Sequence, residues 1–212
     1  MTSGITFPGG GTHRDDVVIR RATAGDAKRL TRLVRTSRAY EGPYAPMIAG
    51  YRVGPDYIEA HQVFVATAGA GAATAPGVGT GPGVGTGPGV GTGPGAGTGP
   101  GVGTDKGAAA GTGAGAGTGT GRVLGFYSLI LSPPELDLMF VADDAQGLGI
   151  GRLLVGHLRD EARRAGLSRV RIVSHPPSEG FYRSVGAERV GTLTANPPAV
   201  MWDRPELVLP VV

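Results

Sequence analysis

The 212 residues include 40 glycines and 17 prolines but no cysteine, and carry a formal net charge of +3. Without cysteine there is no disulfide scaffold, no thiolate nucleophile and no cysteine-ligated zinc. The four histidines are not paired at ligand spacing, no apolar run reaches the roughly 18 residues of a membrane span, and the arginines are scattered. No metal, membrane or nucleic-acid partner is therefore expected. The start, MTSGITFPGGGTHRDD, lacks the apolar stretch of a secretory signal, so a cytoplasmic location is expected.

Residues 1–14 read as a flexible tail. Val17–Arg20 is a short β-branched strand, and Thr23-Ala-Gly-Asp26 has the hydroxyl-to-acid spacing of a capping box. Ala27, Leu30 and Val34 then share one helical face, with Lys28, Arg29, Arg32 and Arg35 elsewhere. Tyr40, Tyr44, Tyr51 and Tyr57 follow among Gly and Pro, as core aromatics, as a wall of a binding pocket, or as both.

Gln62–Ala66 and Arg122–Ile130 both read as strands. Between them, residues 68–121 hold 23 of the 40 glycines, with Pro76, Pro82, Pro88, Pro94 and Pro100 marking a six-residue repeat. Proline denies ladder hydrogen bonds, and a tract without aromatics cannot bury enough apolar surface to offset its ordering entropy. A disordered low-complexity insertion is expected, an overgrown turn between the second and third strands. Growth from a five-residue turn costs about 2 kcal/mol of loop entropy, which a domain tolerates. Residues 15–67 and 122–212 then make one domain. The tract's glycines from Gly69 to Gly121 all fall on odd positions, so Gly-x-Gly-x-x-Gly, which needs an odd spacing, cannot occur within it.

Glu135–Val141 is a mostly apolar strand, followed by a turn at 142–145. Gln146-Gly-Leu-Gly-Ile-Gly151 opens a helix with Ile150, Leu153, Leu154, His157 and Leu158 on one side, and Gly166 is a plausible stop. A strand over Arg169–Ser174 ends at His175-Pro-Pro, a short helix surrounds Gly180–Gly186, and strands are expected near Ala187–Thr192 and Val200–Leu209. The order predicts an α/β (α+β) domain with a mixed sheet.

A strand running into a glycine-rich turn that opens a helix makes an anion site, because free N–H groups and the positive helix end point outward. Gly147, Gly149 and Gly151 let the backbone approach a pyrophosphate, and Arg152 can add a charge-assisted contact. Gln146–Gly151 resembles the Arg/Gln-x-x-Gly-x-Gly/Ala acyl-CoA signature of the GNAT N-acyltransferases. Gly180-Phe-Tyr-Arg-Ser-Val-Gly-Ala187 resembles that family's second motif, and Ile19-Arg-Arg-Ala-Thr-x-x-Asp26 resembles its common start. The long repetitive insert is the departure from the family pattern.

The resemblance implies a mostly antiparallel sheet flanked by helices, with the fourth and fifth strands splayed around a pantetheine arm. Phe140 and Val141 would lie beside that arm, with Gln146, Gly147, Leu148, Gly149, Ile150, Gly151 and Arg152 on the pyrophosphate. Tyr182 matches the tyrosine that often protonates the departing thiolate. Glu135 lies where some histone-acetylating relatives carry their base; Asp137 and His175 are further candidates, and many relatives use water. Alternation places Glu135 and Asp137 on one strand face. The implied activity is acetyl transfer from acetyl-CoA, as co-substrate, to a primary amine of a small molecule or a protein. The alternatives are a catalytically silent acyl-CoA sensor and an assembly protein driven by the repeat. Acceptor identity and homodimer formation stay open.

Overall fold

The computed structural model describes residues 17–68 and 121–211. The tail at 1–14 and the insertion, save Ala68 and Gly121, lie outside the described residues. Seven strands form one sheet: β1 (Val17–Arg21), β2 (Gln62–Ala68), β3 (Val123–Leu131), β4 (Pro134–Val141), β5 (Arg169–Val173), β6 (Glu188–Leu193) and β7 (Arg204–Pro210). Their spatial order is β1-β2-β3-β4-β5-β7-β6. Every pairing is antiparallel except β4 with β5. The expected fold class, a mixed and mostly antiparallel sheet with flanking helices, is the one observed.

Helices cover both faces. Helix α1 (Ala27–Arg35) places Leu30 and Val34 over Val63, Val65, Phe126, Leu138 and Phe140, a layer completed by Ile48 of α2 (Pro46–Ala49) and Ile58 of α3 (Pro55–Ala60). On the other face, α4 (Ile150–Arg164) sets Leu154, Val155 and Leu158 against Tyr127, Leu129, Leu136 and Met139, and α5 (Glu179–Ser184) adds Tyr182. Strands β3 and β4 are buried on both sides, hence their nearly continuous apolar sequences. The capping box forms: the Asp26 carboxylate accepts the Thr23 N–H at 3.0 Å and also holds Arg20 through two bonds of 2.8 Å. That arginine, more than any other neighbour, holds the Asp26 carboxyl below its ordinary pKa.

Several boundaries differ from the sequence reading. Strand β2 runs on to Ala68, whose N–H donates to the Arg122 carbonyl at 2.9 Å, so the two flanks of the repetitive tract meet. Helix α4 begins at Ile150 rather than Gln146, because Gly147 and Gly149 adopt left-handed φ values of 79° and 82° that no helix can include. The Tyr40–Tyr57 segment folds into short single turns, α2 and α3. Among the described residues, no helix is long and apolar enough to cross a membrane.

Strand β4 is irregular along both edges. Toward β3, Ser128 pairs with Leu138 and Leu129 with Leu136, leaving Asp137 as the extra residue of a β-bulge. Toward β5, the parallel pairing covers only Glu135↔Arg171 and Leu136↔Ile172, so the two strands part beyond Leu136.

Candidate active site

A cavity of about 380 Å³ opens where β4 ends, lined by Val141, the loop after β4, and Gly180, Phe181 and Ser184 at α5. Of the residues expected at a cofactor, Val141, Gln146, Gly147, Gly149, Ile150, Gly151 and Arg152 line it. Phe140 and Leu148 do not. Phe140 faces the α1 layer and is buried, whereas Leu148, between the two left-handed glycines, is 45% exposed. Gln146 is anchored by its side-chain amide donating to Asp143 at 3.1 Å. Arg152 reaches across to α5 and donates to the Ser184 carbonyl and hydroxyl at 3.3 Å each.

This loop suits a diphosphate. Left-handed backbone at Gly147 and Gly149 turns the chain so that α4 starts with its unbonded N–H groups at the cavity. A Cβ built on Gly147 meets nothing within 4 Å, so this glycine is required for its backbone conformation and leaves open space beside it.

The expected acid–base residues lie on β4 (Glu135, Asp137), just after β5 (His175) and on α5 (Tyr182), and are differently engaged. Tyr182 is fully buried beside Phe181, ring centroids 5.3 Å apart, in the layer with α4. Glu135 accepts from Arg171 at 2.7 Å, and Arg171 also donates to Glu206 at 2.6 Å, a charge ladder across β4, β5 and β7. Asp137, on the bulge, accepts from the Tyr57 hydroxyl, which shares a further bond of 2.8 Å with Ser128. Burial, then the Asp137 charge, drives the Tyr57 phenol far above its ordinary pKa.

His175 is 1% exposed, and neither of its ring nitrogens has a hydrogen-bond partner among the described residues. Burial depresses it to about 4, so it is neutral at neutral pH. It stacks on Tyr40 at 4.4 Å and meets Tyr44 edge-on at 4.2 Å, and Tyr44 in turn meets Trp202 at 4.5 Å. Sequence reasoning flagged the tyrosine-rich segment without joining it to His175 or Trp202. The lining at Gly180 and Ser184 also went unassigned, although both fall within the second motif.

Solved acetyltransferase structures share this fold. Among solved structures, the chain is similar to a GCN5-related N-acetyltransferase from Rhodopseudomonas palustris, at 14% identity over 91% of this chain and 94% of that one, with a TM-score of 0.58. It is similar to spermidine N-acetyltransferase from Vibrio cholerae in complex with CoA and spermine, at 14% identity over 93% and 96% of the two chains and a TM-score of 0.53. It is also similar to a GNAT family acetyltransferase from Elizabethkingia anophelis with acetyl-CoA bound, at 15% identity over 93% and 99% and a TM-score of 0.51. No curated protein matches the chain. Residues 108–187 match the acetyltransferase (GNAT) family model.

Proposed function

We propose that the protein transfers the acetyl group of acetyl-CoA to a primary amine, of a small molecule or a protein, by direct attack. The observation that carries this reading is the Gln146–Arg152 loop, which turns through two left-handed glycines into α4 beside the cavity at the end of β4. Its main-chain amides hold the pyrophosphate, and Arg152 adds charge. Val141 guides the arm toward the parting of β4 and β5, and Tyr182 of α5 serves as the acid there.

The reaction is aminolysis of a thioester. The nitrogen lone pair forms the C–N bond as the carbonyl π pair moves to oxygen, and the C–S bond then breaks with its electrons on sulfur. Tyr182 supplies a proton to that sulfur. A phenol of ordinary pKa about 10 is matched to an alkyl thiolate of about 8.5. The amine attacks as its free base; the oxyanion pair re-forms the carbonyl as the C–S bond breaks, and the proton that the attacking nitrogen sheds passes to water, from which Tyr182 is reprotonated. Glu135, committed to Arg171, keeps the strands in register instead of receiving the proton.

The test measures thiol release from acetyl-CoA over an amine panel for the wild type and Tyr182→Phe. Release by the wild type with a tenfold or larger drop in kcat for the variant, at unchanged CoA affinity, supports the assignment. Equal turnover removes the acid role. Binding without release from any amine makes the protein an acyl-CoA sensor instead.

A further inference from the structure

The parting of β4 from β5 beyond Leu136 leaves a gap between the two strands. On the α4 side, the cavity runs from Val141 along the glycine loop to α5. On the α1 side, the gap is bridged by the ring of Tyr40, which stacks on Phe140 of β4 at 5.8 Å and 29° and on His175 after β5 at 4.4 Å and 24°. The bridge is backed in turn by Tyr44 and Trp202. Tyr40 is 1% exposed and its hydroxyl has no hydrogen-bond partner among the described residues, so ring packing rather than hydrogen bonding positions it. Tyr40 belongs to the layer under α1 and Tyr182 to the layer under α4.

We propose that Tyr40 is the end wall of the acyl site and restricts the donor to the two-carbon acyl group. The inference rests on the reading of the glycine loop as an acyl-CoA site. An arm that follows Val141 inward reaches the level of Phe140, where the Tyr40 ring is held between two stacked neighbours. A longer acyl chain must displace that ring and break both stacks. An acetyl group stops short of it. Packed interiors resist added methylenes, and a site of this kind separates acyl homologues by roughly 10- to 200-fold.

The test is calorimetric titration of the full chain with CoA, acetyl-CoA, butyryl-CoA and hexanoyl-CoA, which requires no acceptor. The wild type is expected to bind hexanoyl-CoA at least about tenfold more weakly than acetyl-CoA. Tyr40→Phe keeps the ring and this ratio. Tyr40→Ala, or Tyr40→Val should the alanine variant not unfold cooperatively, brings hexanoyl-CoA to within about threefold of acetyl-CoA and leaves free CoA binding unchanged. Equal wild-type affinities for acetyl- and hexanoyl-CoA, or an unaltered ratio in the shortened variants, overturn the assignment while the CoA site stands. Failure of free CoA to bind the wild type overturns the acyl-CoA reading itself.

Discussion

Glu135 of β4 and Arg171 of β5 are at once register partners and an ion pair of 2.7 Å, placed where the two strands begin to separate. The pair, extended to Glu206, clasps the closed end of the gap. Beyond it, Tyr40 stacks between Phe140 of β4 and His175 after β5.

Glu135→Gln should therefore act on stability. Arg171 keeps Glu206 and is 37% exposed, so the loss is about 1 kcal/mol, or a few degrees in Tm. Thermal unfolding and kcat measured from pH 6 to 9 separate the two roles. A clasp changes kcat less than about threefold, whereas removal of a general base lowers it by at least about a hundredfold.

Gly149→Glu should destroy CoA binding. A side chain at φ 82° costs about 1–2 kcal/mol of backbone strain, and the added carboxylate stands where phosphate oxygens would be. Calorimetry should show affinity lowered by at least about a hundredfold while denaturant unfolding stays cooperative. Wild-type affinity would falsify the assignment of the loop to a diphosphate.

Acid should weaken the fold through His175. Its pKa is about 4 when folded, against an ordinary value of 6.5, so between these values the unfolded chain binds the extra proton. This contribution is complete above pH 6.5 and is lost as pH falls toward 4. Thermal unfolding of wild type and His175→Gln across that range gives the check. The wild type should show the steeper fall, and parallel curves would contradict a buried neutral imidazole.

Two glycines should respond to alanine with opposite signs. A Cβ on Gly125 of β3 would lie 2.7 Å from the Phe140 carbonyl oxygen and 3.1 Å from Leu154, so Gly125→Ala should cost about 1–3 kcal/mol. Gly156 lies in α4 with nothing within 4 Å of a Cβ, and Gly156→Ala should gain about 0.5–1 kcal/mol. Urea unfolding of both variants measures the difference.

What the residues determined by themselves was local. The Thr23–Asp26 cap, the alternating and apolar strands, and the glycine turn ahead of α4 each depend on backbone preferences and contacts within a few positions, so they are readable along the chain. Glycine spacing pointed to Gly147, Gly149, Gly151 and Arg152, element order gave an α/β domain with a mixed sheet, and the family resemblance added Val141, Gln146, Ile150 and the mostly antiparallel pairing. Only the tertiary structure decided the rest. Strand pairing made Asp137 the bulged residue and gave Glu135 to Arg171, since register belongs to two strands and not to one. Packing likewise brought Tyr40 between Phe140 and His175, residues far apart in sequence, because stacking partners are chosen by the folded sheet and not by chain order.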